Sequence, residues 1–255
     1  MTDDELLTKP AGVLIKTTLV DFPGCVAATL FLKGCNLRCP YCYNWELVSA
    51  ENENQDRLNE SQTQFVSGAL VLEHLYKRKN VIQGLVISGG EPLLNPVTPV
   101  LIKKAKELGF KIKIDTNGTL PEKLDFLVSN PETKPDFIAM DIKTSPQKYK
   151  EKIPVAENLK EKDIKMLLEN SIKTASSLSN KNYEIRTVLV PSLVEKEDIK
   201  KIAELLPKDA AWRFAQFRNE NCLDPSYNAI TPYTDSELSE LVDFAKTLIK
   251  DSVLR

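Results

Sequence analysis

Short apolar runs alternate with longer amphipathic stretches along most of the chain. Six runs rich in branched and aromatic residues have strand length: "CVAATLFLK" (25–33), "GLVIS" (84–88), "KIKID" (111–115), "DFIAMD" (136–141), "YEIRTVLV" (183–190) and "AAWRFAQF" (210–217). Several are apolar almost throughout, the pattern of strands covered by helices on both faces. Helical spacing of apolar residues predicts helices near 63–79, 97–108, 121–129, 162–178 and 195–206, with a last helix near 235–250. Strand followed by helix, repeated, calls for parallel strands joined by right-handed crossovers. Two closures satisfy that order, an open doubly wound sheet and a partial barrel of six β/α units. The first strand is not followed by a glycine-rich dinucleotide turn, so a Rossmann fingerprint is missing.

No linker or internal repeat interrupts the pattern, and the reading is of one domain over 1–255. Within it, 1–24 form an N-terminal extension, 25–217 the strand-and-helix body, and 218–255 a C-terminal segment with a helix. The polar stretch "SAENENQDRLNESQTQ" (49–64) reads as a solvated surface loop.

Charge and composition narrow the function. A net charge of −2 gives no basic footprint for nucleic acid. No apolar run approaches a bilayer's width and the first residues lack signal-peptide character, so a cytoplasmic location is expected. Five cysteines, an odd number with three clustered, argue against a disulfide framework. The single histidine, His74, lies in an amphipathic stretch and is expected on a helix face. Chemistry that needs several histidines has little to work with.

The unusual residues fall where the strands end. "KGCNLRCPYCYN" (33–44) follows the first predicted strand, "SGGEP" (88–92) the second and "DTNG" (115–118) the third. "MDIK" (140–143) closes the fourth, Arg186 lies within the fifth, and "QFRNEN" (216–221) closes the sixth. Carboxyl ends of parallel strands are where ligand sites collect in both closures. Four readings of Cys35, Cys39 and Cys42 are open. Three buried structural thiols in one loop would be unusual. A thioredoxin-like pair would ignore Cys35. Structural zinc needs a fourth ligand, which Cys25, Cys222 and His74 do not supply at suitable spacing. An iron–sulfur cube bound through three irons would leave one iron open to a substrate.

The Cys-x3-Cys-x2-Cys spacing, with Tyr41 directly before the last cysteine and "SGGEP" downstream, resembles the signature of the radical S-adenosylmethionine (radical SAM) enzymes. That resemblance implies a partial (β/α)6 barrel and a [4Fe-4S] cluster on Cys35, Cys39 and Cys42. It also implies S-adenosylmethionine (SAM) on the open iron, cleaved to a 5′-deoxyadenosyl radical. The needs of SAM then suggest roles. Gly89 and Gly90, with Glu91 beside them, offer carbonyls to its amino group. Arg186 or Lys143 suits its carboxylate. Tyr41 and 188–191 suit adenine, and Asn117, Asp141 or Lys143 the ribose.

The run "KTTLVDFPGCVAATLFLKGCNLRCPYCYNWELV" and the later "FRNENCLDPSY" resemble the activating proteins of anaerobic ribonucleotide reductase, a group of glycyl-radical enzyme activases. The implied partner is such a glycyl-radical enzyme, and the implied reductant is flavodoxin or ferredoxin. Related activases use carboxylates for a monovalent cation, which would put one near Asp115, Thr116 and Asp141. Two positions depart from the pattern: Tyr43 stands where many activases have histidine, and Cys25, expected as a strand thiol, where a basic residue is common. The rival readings are a radical SAM enzyme acting on a small molecule, like the 7-carboxy-7-deazaguanine synthases, and a non-catalytic metal-binding interaction domain.

Overall fold

A computed structural model of the chain describes residues 1–48, 64–155, 159, 163–179 and 181–255. The expected polar loop, all but its last residue, lies outside them. The described residues form two compact units, each assembled from three stretches of chain. One contains Met1–Cys35, Glu46–Thr116 and Glu122–Ile138, the other Asn36–Trp45, Asn117–Pro121 and Ala139–Arg255.

The first unit begins with helix α1 (Asp3–Thr8), started by a capping box between Thr2 and Glu5. Then follow β1 (Pro10–Thr18), β2 (Ala27–Leu32), the single turn α2 (Trp45–Val48), β3 (Val66–Ser67), α3 (Gly68–Arg78) and β4 (Gly84–Gly89). Helix α4 (Val97–Glu107), β5 (Lys111–Thr116) and α5 (Pro121–Ser129) complete it. The strands run in the order β3-β1-β2-β4-β5. The β2, β4 and β5 strands are parallel, with Ala28 opposite Leu85 and Val86 opposite Lys113. Ala27, Ala28, Leu30 and Leu32, then Leu85, Val86 and Ile87, then Ile112 and Ile114, are fully buried. Burial on both faces explains the unbroken apolar runs, and each such Leu or Ile contributes about 1.5–3 kcal/mol of transfer free energy.

Residues 1–24 supply α1 and β1, and β1 pairs antiparallel with β2 on one side and with the short β3 on the other. The turn from β1 to β2 contains "DFPG". Its Phe22 is buried against Phe137, with ring centroids 6.2 Å apart, and Asp21 accepts a hydrogen bond from the Thr29 hydroxyl at 2.6 Å. The Val26 carbonyl accepts from the Gln83 amide at the start of β4. The motif therefore plugs the amino ends of the strands. Cys25 sits in this turn, buried, and not in the strand as expected.

β6 (Phe137–Asp141) carries the chain from the first unit into the second. There α6 (Pro146–Lys152), α7 (Ile164–Ser176), β7 (Tyr183–Leu189), α8 (Lys196–Ala203), β8 (Trp212–Gln216), α9 (Asp235–Leu248) and β9 (Ser252–Leu254) follow in turn. β7, β8 and β9 are parallel neighbours. Trp212 stacks against Phe214 at 4.5 Å and donates its indole N–H to the Thr187 hydroxyl at 3.1 Å. Asp163 caps α7, and Thr234 with Glu237 forms a capping box on α9. The six predicted strands correspond to β2 and β4–β8. β1, β3, β9, α1, α2 and α6 are additions.

Candidate functional site

In the first unit, the segment after β4 lies directly against the start of the cysteine loop. Gly89 has φ +112°, a region that L side chains rarely adopt, and a Cβ on it would stand 2.3 Å from the Leu32 nitrogen. A Cβ on Gly90 would stand 2.0 Å from the Gly34 carbonyl oxygen. The Gly90 and Glu91 amides donate to the Leu32 and Gly34 carbonyls, each at 2.8 Å. Two bare backbones thus run together, and only glycine admits the contact. Glu91 is fully buried, and its carboxylate accepts from the Leu93 amide at 3.1 Å and the Thr116 hydroxyl at 2.9 Å. It ties "SGGEP" to the end of β5. Asp115 is ion-paired with buried Lys113.

In the second unit, the rest of the cysteine loop, Asn36–Trp45, is fastened by side chains. Buried Asn36 donates to the Thr119 hydroxyl at 2.8 Å and accepts from the Asn117 amide at 2.9 Å. The Asn117 side-chain carbonyl in turn accepts from the Thr119 amide and hydroxyl. Asn117, expected beside a ribose, also holds the loop next to Cys35. The Arg38 amide donates to the Pro154 carbonyl at 2.8 Å.

Asp141, Lys143 and Arg186 come together at the end of β6. Arg186 grips Asp141 with two bonds, Nε to Oδ1 at 2.7 Å and Nη2 to Oδ2 at 3.1 Å, and Lys143 Nζ lies 3.1 Å from Oδ2. Burial alone would raise the Asp141 pKa, but the Arg186 and Lys143 charges overcome it and hold the carboxyl well below the usual range. Burial likewise opposes the charge on Lys143, yet Asp141, followed by Cys39, pushes its pKa up. Two cations around one carboxylate leave the trio with a net charge of +1, an environment for an anion. The Lys143 amide donates to the buried Tyr149 hydroxyl at 2.8 Å, which anchors the turn after β6.

Tyr41 is buried, edge-on to Phe217 with centroids 6.5 Å apart. Its hydroxyl has no hydrogen-bond partner. Leaving such a group unpaired costs about 1–3 kcal/mol, so this atom calls for a ligand. Burial, with Cys39 next, raises its pKa well above the ordinary phenol value. Burial also raises the Cys42 thiol, against the pull of the Asn44 amide, Lys143 and Arg38.

All five cysteines are free thiols. Among the described residues no three His, Cys, Asp or Glu side chains are gathered as a single metal ion would require. The adjacent positive charge and the unpaired Tyr41 hydroxyl fit an anionic cluster with a polar ligand. Of the residues expected near a monovalent cation, Asp115 is ion-paired with Lys113 and Asp141 with Arg186 and Lys143, while the Thr116 hydroxyl donates to Glu91.

Sequence reasoning missed Asn36, Thr119 and Tyr149, and also the role of "FRNENCLDPSY". Only the last carried a signal, its resemblance to activating proteins. His74 contacts the Lys16 carbonyl at 2.8 Å, an ordinary helix-face role.

Comparison with known proteins bears on this arrangement. A family model described as the radical SAM superfamily matches residues 29–206. A Methanocaldococcus jannaschii protein, provisionally named a glycyl-radical enzyme activating enzyme, is 31% identical over 95% of this chain and 94% of its own. A Clostridium pasteurianum pyruvate formate-lyase-activating enzyme is 28% identical over 74% of this chain and 72% of its own. A 7-carboxy-7-deazaguanine synthase of Hyperthermus butylicus is 31% identical, but over 39% of this chain and 38% of its own. Among solved structures, Escherichia coli QueE superposes with a TM-score of 0.54 at 16% identity, over 100% of this chain and 97% of its own. That likeness bears on the α/β fold alone.

Proposed function

The chain belongs to the radical SAM superfamily, and from that premise we propose that it installs a glycyl radical on an anaerobic ribonucleotide reductase. It is a radical SAM oxidoreductase, and its cofactors are a [4Fe-4S] cluster and SAM. The observation that carries the activase reading is the extent of the matches. The activating-enzyme relative aligns over 95% of this chain, the deazaguanine synthase over 39%. The choice of reductase as partner rests on "DFPG" and "FRNENCLDPSY". Both segments also have packing tasks, "DFPG" at the amino ends of the strands and the later one against the cysteine loop.

Cys35, Cys39 and Cys42 would hold the cluster. When bound, cluster and SAM together supply the one-electron chemistry that removes a hydrogen atom from a glycine Cα. The protein's part is to bind and orient. Gly89 and Gly90, without side chains, expose backbone carbonyls to an amino group. The net positive charge of Arg186, Lys143 and Asp141 receives a carboxylate. The Tyr41 hydroxyl gains the partner it lacks. Asp141 stays ionised across the physiological range, so Lys143 and Arg186 stay aligned. The electron donor is a flavodoxin or ferredoxin, and the protein works in the cytoplasm. Among the described residues no helix is long and apolar enough to cross a membrane.

The test is anaerobic reconstitution with iron and sulfide, then reduction with SAM and a candidate anaerobic ribonucleotide reductase. The expected results are 5′-deoxyadenosine by chromatography and a glycyl doublet by electron paramagnetic resonance (EPR). A doublet on pyruvate formate-lyase but not on the reductase reassigns the partner. Turnover of a deazaguanine precursor with no doublet on either protein overturns the activase reading.

A further inference from the structure

Within the second unit, the segment after β8 embraces the cysteine loop at four points. The Leu223 amide donates to the Cys42 carbonyl at 3.0 Å and the Asp224 amide to the Pro40 carbonyl at 2.9 Å. The Arg218 amide donates to the Tyr43 hydroxyl at 2.7 Å. The Trp45 indole N–H donates to the Asn221 side-chain carbonyl at 3.0 Å. Two of these bonds pin backbone carbonyls at the third cysteine and between it and the second. The other two pin the aromatic side chains that follow.

The segment is itself held in shape. The Cys222 amide donates to the Asn228 side chain at 3.0 Å, and Asp224 caps the short 3-10 turn Pro225–Ala229. Asn221 adopts φ +52°, a conformation that asparagine tolerates better than most residues. The bend there aims its carbonyl at Trp45 and turns the next residues onto Pro40 and Cys42. None of the four ties binds the reacting groups directly, yet each ends on the loop that carries the thiols.

We propose that Arg218–Asp224 is a brace for the cysteine loop, in which Tyr43, Trp45 and Asn221 are positioning residues that set the surroundings of the cluster. The inference rests on the assignment of the cluster to Cys35, Cys39 and Cys42. It gives Tyr43 a task of its own at the place where histidine was expected. The Tyr43 hydroxyl accepts a bond from a backbone amide, which a phenylalanine there does not. Groups outside the immediate ligands tune a metal centre because they fix ligand orientation and exclude water.

The test uses the reconstituted full chain and compares Tyr43→Phe, Asn221→Gly and Asn221→Asp with the wild type. Glycine keeps the backbone conformation and loses the side-chain carbonyl, while aspartate restores an acceptor. The readouts are the rate of iron release to a chelator, the EPR spectrum and potential of the reduced cluster, and the melting temperature of the cluster-free chain. Y43F and N221G are expected to release iron faster, up to about tenfold, with an altered EPR spectrum and nearly unchanged melting of the cluster-free chain. N221D is expected to return close to the wild type. Wild-type release and spectra in both Y43F and N221G overturn the brace while the cluster assignment stands. Equal effects in N221G and N221D also overturn it, since the acceptor then has no part. A wild-type chain that takes up no cluster overturns the assignment itself and this inference with it.

Discussion

The glycine segment after β4 and the cysteine loop after β2 are ordered by different means. The first is backbone pressed on backbone, with Gly90 against Gly34 and room for no side chain. The second adds side-chain ties to its backbone bonds: Asn36 with Asn117 and Thr119, Trp45 with Asn221, Tyr43 with Arg218. A backbone contact of the first kind is all or nothing, because the nearest atom cannot swing away. A set of side-chain ties can lose one member and keep the rest. The glycine segment is thus the brittle region, and the loop that carries the thiols the tunable one.

Four substitutions and one titration sharpen that contrast. The largest effect is expected for Cys39→Ala. It abolishes assembly of the full cluster, read by iron content and absorbance, and leaves far-ultraviolet circular dichroism of the cluster-free chain intact. Next is Gly90→Ala, which forces a methyl group onto the Gly34 carbonyl and is expected to cost about 3 kcal/mol in urea unfolding. Asn117→Ala leaves Asn36 and Thr119 buried with lost partners and is expected to cost about 2 kcal/mol. If Asn117→Ala proves costlier than Gly90→Ala, the contrast between brittle and tunable regions is reversed.

Asp141→Asn tests the charged trio by pH. The native carboxyl titrates below its unfolded value, so its contribution is complete above the ordinary carboxylate range and fades as pH falls toward the native pKa. The stability gap between wild type and D141N, measured by urea unfolding of the cluster-free chain, should therefore be wider at pH 7 than at pH 3. A gap that widens in acid refutes the ion pairing. The smallest effect is expected for Thr116→Val, which removes one bond to Glu91 and costs about 1 kcal/mol.

Much of this molecule was legible beforehand, and the failures have physical causes. The strands β2, β4 and β6 announced themselves because burial on both faces demands nearly unbroken apolar runs, and β5, β7 and β8 by apolar residues alternating with polar ones. β1 did not, since its burial is irregular and a bulge lies between Ile15 and Thr18. Such a shift breaks the two-residue alternation by which a half-buried strand is recognised. Helix α6 buries only Pro146 and Tyr149, too little for a visible stripe. "DFPG" was read for its resemblance, and the structure gives it a packing task at the amino ends of the strands. Asn117 was matched to a ribose by its chemistry, and its side-chain amide also joins Asn36 to Thr119, a tie that spacing does not reveal.

Local spacing and hydrophobic periodicity determined the order of elements, the three thiols in one loop and the glycines at a strand's end. These depend on covalent distance and on which residues avoid water, and both are written along the chain. The partners of the polar side chains were decided only in three dimensions. Asn117 meets Asn36 across 81 residues, and Tyr43 and Trp45 meet the segment after β8 across 175 and 176. A hydrogen bond depends on direction and on tenths of an ångström. Composition carries no record of either, and the packed strands and helices supply both.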